Sequence, residues 1–129
     1  MAGYLYGLDP ALKAVICPVK VRTAIPDPDK VSGGEAYEDT EDKVWLPSMT
    51  EVYGSANSGV AEGSYFQYWK DTTNAAKIKY QGSTARHWWL RGPSPDFAYV
   101  VRSVNSSGAL YDSNVAYYAR GFVPGLCIG

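Results

Sequence analysis

The sequence predicts an α+β domain in which short helices pack on small, mostly antiparallel sheets with long irregular loops between them. Three observations carry that expectation. The chain has 129 residues, about one domain's worth, and no internal repeat. Helix start signals come first, at Asp9, Ser48 and Ser64. Short strand-like runs separated by turn residues come last, and helices followed by strands mark an α+β chain rather than an alternating α/β one.

Each element has its own local reason. Residues 8–16 predict a short helix: Asp9 is a good N-cap, Pro10 suits the first helical position, and Leu12, Val15 and Ile16 make an apolar face before Cys17 and Pro18 end it. Residues 19–25 alternate as a strand, with Val19, Val21 and Thr23 on one face. Residues 26–42 are rich in Pro, Gly, Asp and Glu, offer no recurring core position, and read as a solvated loop. Residues 43–46 form a short strand leading into Pro47. Ser48 and Glu51 then have the spacing of a capping box, in which the Ser48 hydroxyl accepts from the Glu51 amide and the Glu51 carboxylate reaches back to the Ser48 amide. Gly54 closes that helix early. A further start at Ser64, with Gln67 three residues on, predicts an aromatic helix through Tyr65, Phe66, Tyr68 and Trp69, whose rings read as core.

Residues 75–80 form one more short strand or a turn. Residues 87–91 read as a buried strand. Strands at 98–104 and 109–111 follow, joined by Asn105-Ser106-Ser107-Gly108, which carries the residue types a hairpin turn needs. Residues 114–120 read as a polar and aromatic loop, and 121–128 as a last single strand.

Composition excludes several function classes. The 12 Lys and Arg against 13 Asp and Glu leave a net charge of −1, which excludes nucleic-acid binding through bulk positive charge. No apolar run reaches the roughly 18 residues that a membrane span needs. Residues 1–8 have neither a basic start nor a long apolar stretch, so no signal peptide is expected. The mix of 11 Tyr, 4 Trp and 13 Gly with a single His suits a binding surface better than a catalytic site.

A scan for chemistry agrees. His87 stands beside Trp88 and Trp89 on a predicted strand, where a packed side chain is the simpler reading than a catalyst. No G-x-S-x-G, phosphate loop or H-E-x-x-H is present. Asp27, Asp29, Glu35, Glu38, Asp39, Glu41 and Asp42 form an acidic run without the ordered spacing of a calcium loop. No enzyme activity, cofactor or metal is therefore expected. Cys17 and Cys127 lack the spacing of a metal or redox site. They are either two separate buried thiols, the simpler reading, or a disulfide joining the ends.

The most informative feature is an absence. From Gly92 to Gly129 there is no Lys, Glu, Gln, Trp or Met, whereas residues 1–91 hold 20 residues of these five types. At that frequency roughly eight would be expected in the final segment. The segment draws instead on Ser, Asn, Tyr, Asp, Ala, Val, Gly, Phe, Pro and Arg. These are residues reached when the first two bases of an adenine-adenine-pyrimidine codon are randomised, and the five missing types are not. The chain thus divides into a conventional scaffold, 1–91, and a codon-restricted segment, 92–129, that ends in the closing strand.

These residues also carry a resemblance. Trp88-Trp89-Leu90-Arg91-Gly92-Pro93, followed by a Ser-, Asn- and Tyr-rich stretch and by Gly121-Phe122-Val123-Pro124-Gly125-Leu126-Cys127, resembles a bacterial and phage family of DUF6273 type, with its W-W-L-R-S-P and G-V-R-P-A-L pattern. Residues 42–53 are similar to that family's D-K-x-(F/W)-L-P-S-x-T-E-V segment. Gly92, Val123 and Gly125 depart from the pattern, standing where Ser, Arg and Ala are usual. The resemblance implies a C-type-lectin-like fold and a kinship with variable proteins of diversity-generating retroelements, in which error-prone reverse transcription rewrites adenine positions. The calcium and sugar motifs of animal C-type lectins are absent, so calcium-dependent sugar binding is not implied.

The expectation that follows is a non-catalytic ligand-binding or display protein with a diversified surface on a rigid scaffold. Trp88, Trp89, Leu90, Val100, Val104, Leu110, Leu126 and Ile128 are assigned to the scaffold. The outward, ligand-binding residues are assigned as Ser94, Asp96, Phe97, Tyr99, Arg102, Tyr111, Asp112, Tyr117, Tyr118, Arg120 and Phe122, with Tyr99 and Phe122 equally readable as core. The partner would be a cell-surface or host protein or glycan, with no nucleic acid, no membrane insertion and the oligomeric state open. The setting would be a phage tail or fibre, or a bacterial cell surface. A fixed carbohydrate-binding or adhesin module of the same fold is the alternative, and a small enzyme using His87 or the acidic run a remote one.

Overall fold

The computed structural model describes residues 7–25, 37–94, 101–111 and 121–128. Its elements in chain order are α1 (Pro10–Lys13), β1 (Ile16–Cys17), β2 (Val19–Ala24), β3 (Tyr37–Asp42), β4 (Val44–Trp45), α2 (Met49–Tyr53), a 3-10 turn (Asn74–Lys77), β5 (Lys79–Gln81), β6 (Thr84–Arg86), β7 (Trp88–Pro93), β8 (Val101–Val104), β9 (Leu110–Tyr111), β10 (Gly121–Phe122) and β11 (Gly125–Ile128). The result is a small mixed protein of short helices and mostly antiparallel sheets.

The sheets are assembled from distant parts of the chain. A three-stranded sheet runs β1-β11-β4, so both ends of the described chain meet there, with Cys17 opposite Cys127 and Leu126 opposite Val44. A four-stranded sheet runs β10-β7-β8-β9, and its β10–β7 pair is parallel. The pairs β2–β3 and β5–β6 stand as two antiparallel hairpin-like units.

The core lies where α2 meets the four-stranded sheet. Met49, Val52, Trp69, Trp88, Leu90 and Val104 are buried together, and Tyr53, Tyr65, Phe66, Leu110 and Val123 pack against them. Trp69 and Trp88 stack with ring centroids 6.3 Å apart. Trp88 keeps its indole N–H satisfied in the interior by donating to the Lys77 carbonyl at 3.0 Å.

Several local expectations hold. Asp9 caps α1 by accepting from the Ala11 amide, and the Ser48–Glu51 capping box on α2 is complete, with Gly54 ending the helix. The turn after β8 is organised by the Asn105 side chain, whose oxygen accepts from the amides of Ser107 and Ala109. Gly108 in that turn has φ +84°, and a Cβ there would run into the Asn74 carbonyl, so only glycine fits. The Tyr53 hydroxyl donates to the Gly108 carbonyl at 2.6 Å, pinning the turn to α2. Burial pushes the Tyr53 phenol well above its ordinary pKa.

Other expectations are corrected. The first helix is a single turn: Val15 is exposed and Ile16 leaves it to pair in β1. The acidic run is not all loop. Residues 37–42 form β3 against β2, because Lys20 and Arg22 stand ready for its carboxylates. Asp39 receives Arg22 Nε at 2.8 Å and Lys20 Nζ at 3.1 Å, and the hydrogen bond from Arg22 above all pulls its carboxyl down to about 2. No helix forms after Ser64. The Phe66 amide donates to the Glu51 carbonyl at 2.9 Å, tying the segment to α2, and Asp71 has φ +60°, which breaks any continuing helix. The expected single last strand is two: the chain leaves the four-stranded sheet after Phe122 and joins the three-stranded one at Gly125, with Pro124, which has no amide hydrogen to donate, in the gap. Of the assigned scaffold residues, Ile128 is exposed at the end of β11, and Val100 lies outside the described residues.

Candidate functional site

The candidate site stands at the start of β7, and a buried polar frame holds the far end of that strand. Arg91 on β7 reaches Glu51 on α2 through two hydrogen bonds of 2.9 Å each, from Nη1 to Oε2 and from Nη2 to Oε1. Glu51 is held in place by its own capping box, since its Oε2 also accepts from the Ser48 amide at 2.9 Å. The Ser48 hydroxyl in turn donates to the Glu62 carbonyl at 2.6 Å. Glu62 is fully buried. Its Oε2 accepts from the Ala24 amide at 2.8 Å, while among the described residues Oε1 has no hydrogen-bond partner. Burial raises the Glu62 pKa, against the opposing pull of the Ala24 amide, the Asn57 amide and the guanidiniums of Arg91 and Arg102. Gly92 has φ +95°, and a Cβ there would lie 2.5 Å from Glu62 Oε2. Any other residue at this position would strain the backbone and press on the Glu62 carboxylate.

At the other end of β7, where β10 pairs with it and the β5–β6 unit comes alongside, a cleft of about 500 Å³ opens. Its walls include Lys79, Tyr80, Arg86, His87, Ser106 and Phe122, together with the buried Trp88. Tyr80 and Phe122 are largely exposed. His87 meets Tyr111 edge to face, with centroids 5.4 Å apart, so Tyr111 borders the same region through His87. Lys79 Nζ lies 4.9 Å from the centroid of the Trp69 ring, a cation–π contact that anchors the ammonium without neutralising it. Among the described residues, no group of three or more His, Cys, Asp or Glu is placed to hold a metal ion.

The residues assigned to ligand contact fall into three groups. Tyr111 and Phe122 are 36% and 50% exposed, and the structure brings them to the same part of the surface through His87 and the cleft. Ser94 and Arg102 are corrected: they are 1% and 7% exposed and belong to the interior. A buried guanidinium needs acceptors, and Arg102 Nε finds one in Asn57 Oδ1 at 3.0 Å. Asp96, Phe97, Tyr99, Asp112, Tyr117, Tyr118 and Arg120 lie outside the described residues.

Sequence reasoning missed Lys79, Tyr80 and Arg86, and preferred packing to chemistry for His87. A signal for the first three exists: Gly82 and Ser83 sit between two three-residue strands, the spacing of a two-residue hairpin turn. It also missed Glu62 and Asn57, whose importance depends wholly on what surrounds them.

The sequence pattern of a family described as a domain of unknown function, DUF6273, matches residues 2–129. No curated protein and no solved structure is similar enough to this chain to match it.

Proposed function

The chain belongs to the DUF6273 family, and on that premise we propose that it is a non-catalytic ligand-binding protein whose C-terminal segment varies to change what it binds. The single observation that carries this reading is the origin of the exposed rings. Tyr111 and Phe122 come from the codon-restricted segment that begins at Gly92. Phe122 lines a cleft on β7 and Tyr111 meets its wall residue His87, and that strand is fixed by the buried frame of Ser48, Glu51, Glu62 and Arg91. A rigid frame beside changeable side chains is the arrangement a variable binder needs, because the contacts change without unfolding the core. Tyr and Phe give large contact area with few rotatable bonds.

The finer reading is a C-type-lectin-like fold, diversified by a retroelement and displayed on a phage tail or fibre or on a bacterial surface, with a cell-surface or host protein or glycan as partner. Support comes from the missing Lys, Glu, Gln, Trp and Met after Arg91 and from the motif resemblance at residues 42–53, 88–93 and 121–127. Sequencing the same locus in sibling isolates tests it. Changes confined to the segment from Gly92 to Phe122, at adenine-derived codons and beside a near-copy template and a reverse-transcriptase gene, are the expected result. An invariant locus without those neighbours would sink the diversification. Replacing Tyr111 and Phe122 together by Ala is expected to abolish binding to host cells while the fold is kept, as read by circular dichroism.

A further inference from the structure

We infer that the cleft takes a small ligand in which a carboxylate is attached to a ring, an inference that rests on the ligand-binding reading above. The key observation is a pair of like charges. Lys79 and Arg86 are directly opposite one another in the β5–β6 pair, and both line the cleft. Like charges facing each other across two strands cost stability. Among the described residues neither is bridged to a carboxylate: Asp39 is taken by Lys20 and Arg22, and Glu51 by Arg91. No Asp or Glu is among the described residues lining the cleft. An anion between Lys79 and Arg86 relieves their repulsion and gains charge-assisted hydrogen bonds.

The other walls select the rest of the ligand. Tyr80 and Phe122 are largely exposed aromatic residues in the wall, and His87 and Ser106 line the cleft with them. At about 500 Å³ the cleft is in the range of small-molecule sites, roughly 300–1,000 Å³. It holds one or two rings, as in a sugar acid or an aromatic acid.

Titration calorimetry on the full chain with matched pairs tests this, using glucuronate against glucose and benzoate against benzamide. The carboxylated member of at least one pair is expected to bind about tenfold tighter than its neutral twin, the scale of one good charge-assisted contact. The pair that responds tells a sugar acid from an aromatic acid. Lys79→Gln with Arg86→Gln is expected to erase the difference, with the near-ultraviolet circular dichroism unchanged. The single variants serve if the double variant fails to fold. Equal binding of charged and neutral twins, or no binding of any of the four, overturns the inference. If host-cell binding that depends on Tyr111 and Phe122 persists in that case, the ligand-binding reading stands alone; if it too is missing, that reading fails as well.

Discussion

Arg91 and Glu51, forty residues apart, form a buried two-bond ion pair in which every N–H of the guanidinium is used. Two donate to Glu51, and the other three to the carbonyls of Arg22, Leu46 and Glu62 at 2.8–2.9 Å. Arg91 thereby ties β7 to β2, to the end of β4, to α2 and to the segment after it. Arg91→Met is expected to cost about 3–5 kcal/mol, because it leaves the Glu51 charge buried and unpaired. Lysine should not rescue it, since an ammonium has only three donors and no planar fork. Urea denaturation measures both, and a loss below about 1 kcal/mol would place the pair among the weak ones.

Glu62 predicts a pH dependence of stability. Its folded pKa is raised by burial above its unfolded value. The folded state therefore holds the proton more tightly, and stability falls as pH rises from the unfolded pKa through the folded one. Glu62→Gln carries no titrating proton, so its stability should not show that decline. Parallel curves for the two proteins across a pH series of urea melts would mean that the carboxyl titrates at its ordinary value.

Two glycines differ in what surrounds them, and so in the expected cost of adding a methyl group. At Gly92 the Cβ meets the end of the Glu62 side chain, whereas at Gly108 it meets the backbone of Asn74. Both positions have positive φ, which costs about 1–3 kcal/mol for other residues. Gly108→Ala is expected to lose more than Gly92→Ala, because a carbonyl in the backbone yields less than a side-chain tip. Thermal melts compare the two, and the reverse order would contradict this account.

Cys17 and Cys127 are not joined by a disulfide and stand opposite each other on β1 and β11. Directly opposed residues in an antiparallel pair have Cα atoms about 4.5–5.5 Å apart, inside the range that a disulfide spans. Oxidised glutathione should therefore join them by thiol–disulfide exchange, releasing two molecules of reduced glutathione. The expected readouts are loss of both thiols to a thiol reagent, a mass decrease of about two hydrogens and a higher melting temperature. Thiols that stay reactive, or that end as mixed disulfides, would contradict it.

Local hydrogen bonding and chain stiffness are written in the sequence, and there the reading succeeded. The Asp9 cap, the Ser48–Glu51 box, the strand at Trp88 and the turn at Asn105 each depend on residues within a few positions of one another. What the sequence alone could not decide is which distant group each side chain meets. Arg102 and Tyr111 both come from the codon-restricted segment, yet one is buried against Asn57 and the other lies edge-on to His87 at the surface. Alternation along a strand separates two faces without saying which is inside, and that depends on the sheet's neighbours. The partner of Glu51, forty residues away, and the acceptors of Arg91 and Arg102 are likewise tertiary facts. They arise because buried polar groups must find partners, and folding brings those partners from far along the chain.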